Sequence, residues 1–286
     1  MKQKHQRSFD LLSRYDYYYP GIGGVFALLA LLLAGACVGN LVILVLTKYL
    51  GTEIASTYGM LISYPLQFLP AMIYAAAKSN PFDGGQECVR VDDGRFAPIG
   101  GAWLSVMAIT VTWASAVMCE PSGLLLPEMP ELLKNALKSM TEGPLWVSIL
   151  TTAVFAPFFE EWLCRGMVLR GLLQKMHPAW AIMISAIFFA LIHMNPWQAV
   201  PAFILGCLFG YVYYKTGSLK LTMLMHCTNN AFSVLLTRIP GMEDCDYLYQ
   251  AIDNWTAYGI IYGVCAGVAI WIITKLKETN FTYDEE

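Results

Sequence analysis

Two uncharged stretches constrain this chain more than anything else in it. Ile22 to Thr47 is 26 residues without Asp, Glu, Lys or Arg, and Pro178 to Tyr214 is 37. A helix crossing a bilayer core needs about 20 apolar residues. Inside the core every backbone N–H and C=O must be paired within the protein, which favours helices. The composition agrees: 57% of the 286 residues are hydrophobic and 14% are charged, against roughly 25% charged in a soluble domain. A soluble globule of this length could not bury so much apolar surface. A cytosolic enzyme, a disordered chain and a small disulfide scaffold are therefore excluded. The net charge of -3 offers no basic surface for nucleic acid.

The expected architecture is an all-α, polytopic membrane bundle of about eight transmembrane helices. The first three spans are Ile22 to Thr47, Ile54 to Ala77 (interrupted by Pro65 and Pro70) and Ala97 to Cys119. The fourth runs from near Pro144 past Glu160 and Glu161 toward Leu173. The 37-residue run is too long for one span and breaks at Asn195-Pro196 into a fifth and a sixth, since the residue before proline avoids the helical region. Leu219 to Thr237 and Asn254 to Thr274 complete the set. The long first apolar run argues against a cleaved signal peptide.

With the N-terminus inside, 14 lysines and arginines fall on the inner side, Arg165 and Arg170 among them, and 4 on the outer side, namely Lys48, Lys134, Lys138 and Arg238. That bias predicts both termini in the cytoplasm. The chain then divides into a cytoplasmic segment over 1–21, three helices and their loops over 22–143, a polar-bearing core over 144–238, and an outer loop, last helix and cytoplasmic tail over 239–286. Glu128 to Met140 reads as an interfacial helix with Leu132, Leu133, Ala136, Leu137 and Met140 on one face. Gly241 to Asp253 reads as an acidic solvated loop. The eight cysteines include no C-x-x-C pair and read as small buried hydrophobes.

Ionisable groups inside a span are costly and mark function by default, and here they gather in one region. The fourth helix carries Glu160-Glu161 and then Arg165, which is four residues from Glu161 and shares its face. Glu160 points about 100° away from Glu161. The fifth helix ends in Phe189 to His193, and the seventh places His226 and Asn230 on one face. Measured from the inner ends of their helices, Glu160, His193 and Asn230 lie at roughly 20, 22 and 16 Å, so one cluster is feasible. A carboxylate, two imidazoles and an amide around a point suit water-driven amide hydrolysis. Glu160 would take the proton of the water, His193 would orient it, and His226 and Asn230 would donate to the oxyanion. The same Glu160, His193 and His226 would alternatively bind a divalent metal such as zinc, with a water in the open position. Neither H-E-x-x-H nor G-x-S-x-G occurs.

The set Glu160-Glu161-x-x-x-Arg165, Phe189-x-x-x-His193 and His226-x-x-x-Asn230 resembles the CPBP family of intramembrane proteases, the type II CAAX prenyl endopeptidases or Abi family. Phe203-x-x-Gly206-x-x-x-Gly210-Tyr211 followed by Tyr214-Lys215-Thr216-Gly217-Ser218-Leu219 is similar as well, and the likeness spans about Phe155 to Ala231. The resemblance implies an eight-helix bundle with its site open to the cytoplasmic side. It implies Glu160 as the activating base with His193 beside it, His226 and Asn230 as the oxyanion site, and Glu161 and Arg165 in support. It implies glutamate-type chemistry without a required cofactor, with a metallo-mechanism as the alternative, and a membrane-associated or CAAX-like protein or peptide as substrate. The expected location is a bacterial plasma membrane. Two other functions compete: a non-proteolytic immunity or scaffold protein of the same family, which would tolerate loss of Glu160, and a proton-coupled transporter, which would tend to show repeated halves.

Overall fold

The computed structural model describes residues 12–80, 88–240, 242 and 247–279. Among these the chain is helical without strands. Ten helices follow in order. They are α1 (Ile22–Leu50), α2 (Thr52–Lys78), α3 (Gly101–Cys119), α4 (Glu131–Glu142), α5 (Leu145–Leu173), α6 (Pro178–Leu191), α7 (Pro196–Thr216), α8 (Leu219–Leu236), α9 (Leu248–Ile252) and α10 (Trp255–Leu276).

All eight expected spans are helices. Five of them are long and apolar enough to cross a membrane: α1, α2, α3 with the turn after it, α5 and α10. The other three form the polar-bearing core. α6 has 14 residues, about 21 Å at 1.5 Å per residue, short of a 30 Å hydrocarbon core. α7 and α8 give up hydropathy to polar residues such as Gln198, His226, Asn229 and Asn230.

α1 and α2 form a tight hairpin packed on the front of α5. Gly35 permits this, because a Cβ there would lie 2.0 Å from the Gln67 carbonyl oxygen. α3 closes the opposite side against α7 and α8, and α10 packs on α3. At Gly206, α7 approaches α6 so closely that a Cβ would come within 3.2 Å of the Ala186 backbone.

The break at Asn195-Pro196 falls where expected. The Asn195 side chain caps α7 by accepting from the Gln198 N–H at 2.9 Å, and Met194 takes a left-handed φ of 54° to make the corner. One consequence corrects the expectation for His193. α6 stops at Leu191, so His193 sits in the turn beyond the helix rather than within it.

Two other expectations change. Arg170, counted among the inner-side cations, is fully buried. All five of its N–H donors are used, on the carbonyls of Gly166, Asp16, Val89, Tyr15 and Tyr18 at 2.7–2.9 Å. The segment before α1 is therefore docked on α5, with Leu12 and Tyr15 buried. A helix forms there as α4, but the face it turns inward is rotated from the expected one. Leu132 is 86% exposed, whereas Lys134, Leu137, Lys138 and Met140 line an internal cavity. Of the acidic loop expected over 241–253, positions 241 and 243–246, with Glu243, Asp244, Cys245 and Asp246, lie outside the described residues, as do Lys2, Lys4 and Arg7; Leu248–Ile252 is helix α9 rather than loop.

Candidate active site

α5 widens into π-helix twice, over Ile149–Phe155 and Trp162–Leu169, on either side of Glu160 and Glu161. Such widened turns often occur at functional sites, and Pro157 shows why one matters here. In the first wide stretch each N–H bonds five residues back, as Ala156 does to Thr151. The next donor in that ladder would be residue 157, a proline with no N–H. The carbonyl of Thr152 is thus left over, and the Asn230 amide of α8 donates to it at 2.7 Å. Asn230 is anchored by a gap in the helix ladder, and the second hydrogen of its amide nitrogen remains for a ligand.

The paired carboxylates divide as expected. Glu161 is fully buried and accepts from Arg165 Nη1 at 2.7 Å. Arg165 is also fully buried. Its Nη2 donates to the Gly206 carbonyl at 3.0 Å, and its guanidinium lies 4.5 Å from the Phe189 ring centroid. The same Glu161 oxygen meets His226 Nδ1 at 3.0 Å. A carboxylate held by arginine accepts, so Nδ1 carries the hydrogen and Nε2 is turned the other way. There it faces Glu160 Oε2 at 3.9 Å.

Glu160 has a partner that no sequence pattern announced. The Tyr64 hydroxyl, on α2, donates to Glu160 Oε1. Oε2 is buried and accepts no hydrogen bond from the described residues. A hydroxyl inside the apolar, proline-broken second span is the only signal that pointed to Tyr64, since a buried tyrosine O–H needs an acceptor.

His193 is oriented by the end of α6. The chain turns so that the His193 N–H bonds to the Ala190 carbonyl, leaving the carbonyl of Phe189 to the His193 ring, with Nδ1 at 2.8 Å. Nδ1–H donates there, so Nε2 presents its lone pair.

Glu160, His193, His226 and Asn230 all line one cavity of about 700 Å³, together with Tyr64. Glu161 and Arg165 stand behind His226. A water spanning the 3.9 Å between Glu160 Oε2 and His226 Nε2 would reach both groups. Among the described residues no group of three His, Cys, Asp or Glu side chains is placed to hold a metal ion. With Nδ1 of both histidines on protein acceptors, each has Nε2 left to offer a ligand.

If Tyr64 positions the carboxylate, Tyr64→Phe should lower kcat about ten- to a hundredfold, the worth of a hydrogen bond to a charged group, with KM and melting temperature little changed. Unaltered kcat would remove Tyr64 from the site.

Residues 142–232 match the family model of the Rce1-like type II CAAX prenyl endopeptidases. The match begins at the end of α4, ends within α8 and contains Glu160, Glu161, Arg165, His193, His226 and Asn230; Tyr64 lies outside it. No curated protein and no solved structure matches the chain. At the level of the family, the match supports a membrane endopeptidase.

Proposed function

We propose that this protein is an intramembrane endopeptidase that hydrolyses a peptide bond with a glutamate-activated water. One observation carries the reading: Glu160 Oε2, unpartnered and buried, faces His226 Nε2 across 3.9 Å in a cavity that also holds His193 and Asn230.

The water enters the cavity beside Glu160 Oε2, in the 3.9 Å space before His226 Nε2, with His193 on the same cavity wall. Glu160 takes one of its protons as the oxygen attacks the carbonyl carbon, and the His193 Nε2 lone pair aligns the other. The tetrahedral oxyanion accepts from the free Asn230 amide hydrogen and from His226. Because Nδ1–H is committed to Glu161, His226 can donate from Nε2 only as the imidazolium. Glu161 supports that charge from the Nδ1 side of the ring. As the C–N bond breaks, Glu160 returns its proton to the leaving amine, giving one new carboxylate and one new amine.

The chemistry uses only residues of this chain, and no cofactor is part of the proposal. The substrate is a membrane-associated or CAAX-like protein or peptide, and the location a bacterial plasma membrane. Purified protein in detergent, offered a library of CAAX-type and unprenylated peptides, should cleave a subset at an unchanged rate after treatment with a strong chelator. Loss of cleavage on chelation, restored by zinc, would replace the glutamate mechanism with a metal-assisted one.

A further inference from the structure

The bundle has an open end and a closed end with respect to the catalytic cavity. The residues that line it beyond the catalytic cluster come from α4, from the turn His193–Gln198 and from Thr237 at the end of α8. Met194, in that turn, is 75% exposed. All of these lie at the end of the bundle where α1 turns into α2, where α5 begins and where α8 finishes. Among the described residues, none from the loops at the other end lines the cavity. Trp162 is fully buried beneath Glu160 and Glu161 and packs edge-on against Tyr15, with ring centroids 5.1 Å apart. Arg170 ties the segment before α1 and the loop after α2 to α5. Tyr213 donates to the Val91 carbonyl at 2.8 Å, and the N–H groups of Asp93 and Arg95 bond to the last carbonyls of the α7–α8 corner at 2.9 Å. This closed end is the one from which α1 starts and at which α10 ends.

Charge distinguishes the two ends. The closed end carries Arg14, Lys78, Arg90 and Arg95, Lys175 in the α5–α6 turn, Lys215 and Lys220 in the α7–α8 corner, and Lys275 and Lys277 after α10. The open end carries Lys48, Lys134, Lys138 and Arg238. Of these, Lys134 and Lys138 face the cavity, and Arg238 donates to the Gly143 carbonyl at 2.6 Å. Removing the buried Arg165 and Arg170 from the loop cations leaves the asymmetry intact. Short loops rich in lysine and arginine stay in the cytoplasm.

We infer that the catalytic cavity opens on the extracytoplasmic face, and that its substrate is a polypeptide already carried across or inserted into the membrane. Cytoplasmic termini and a cavity open to the cytoplasm exclude each other in this fold. A translocation or insertion step must therefore supply the substrate, and cleavage follows it. The inference rests on the peptidase reading for the word substrate, while the direction of the opening stands on the fold and the charges alone.

The test is labelling with a membrane-impermeant maleimide in bacterial cells expressing the full chain, with Cys88→Ser and Cys245→Ser as background. Leu132→Cys, on the exposed face of α4, reports the open end, and Lys277→Cys reports the closed end. Leu132→Cys should label in intact cells at least tenfold more than Lys277→Cys, which should label only after lysis. The reverse pattern would overturn the inference and turn the cavity to the cytoplasm. Labelling does not depend on catalysis, so failure of the peptidase reading would show separately, as absence of cleavage in detergent.

Discussion

Glu160→Gln should lower kcat for peptide cleavage by about a thousandfold or more and leave the melting temperature almost unchanged. The amide is the same size as the carboxylate and its oxygen can still accept from the Tyr64 hydroxyl. It cannot take a proton from water, and loss of a positioned general base costs about 10² to 10⁴ in rate. Among the described residues Oε2 of Glu160 has no hydrogen bond to lose, so the stability cost is small. Cleavage at the wild-type rate in this variant would sink the mechanism and favour the scaffold reading. A large fall in melting temperature would instead mark Glu160 as a structural acid.

Arg165→Leu should destabilise the protein by about 3–5 kcal/mol, because it leaves a buried carboxylate without its counter-charge. Glu161 and Arg165 are both fully buried, with the guanidinium bridging Glu161 and the Gly206 carbonyl. Paired replacement, Glu161→Gln with Arg165→Leu, should recover much of that stability, since no charge is then stranded. It should not recover activity, because His226 loses the carboxylate that holds its Nδ1 hydrogen. Thermal unfolding in detergent separates these outcomes. An Arg165→Leu protein as stable as wild type would show that the pair is solvated rather than buried.

The elements of this fold that are local were legible in the sequence. The run Ile22 to Thr47 lies within α1, and Asn195-Pro196 breaks the 37-residue stretch because a capping side chain and a proline act on their neighbours. The Glu161–Arg165 pair and the His226–Asn230 pair follow from helical spacing alone. What was not legible depends on distant packing. Tyr64 meets Glu160 across 96 positions of chain. Arg170 counts by sequence as an inner-side cation of the fourth span, and only carbonyls from the segment before α1 and the loop after α2 make it a buried anchor. Lys134 and Lys138 line the cavity although hydrophobic spacing assigned their face to the outside, because the packing of α4 beside the other helices turns that face inward. The anchor for Asn230 needed a π-helical turn, whose spacing does not follow from a 3.6-residue pattern.

The central claim is that Glu160 acts on a water and not directly on the peptide. A single turnover of the purified protein in water enriched in oxygen-18 tests it most directly, with mass spectrometry of both the product and the protein. The account predicts one heavy oxygen in the new C-terminal carboxylate and none in the peptide that contains Glu160. Label in the Glu160 side chain would contradict it by showing direct attack through an anhydride, and a chain that releases no product from any peptide offered would contradict the peptidase reading itself.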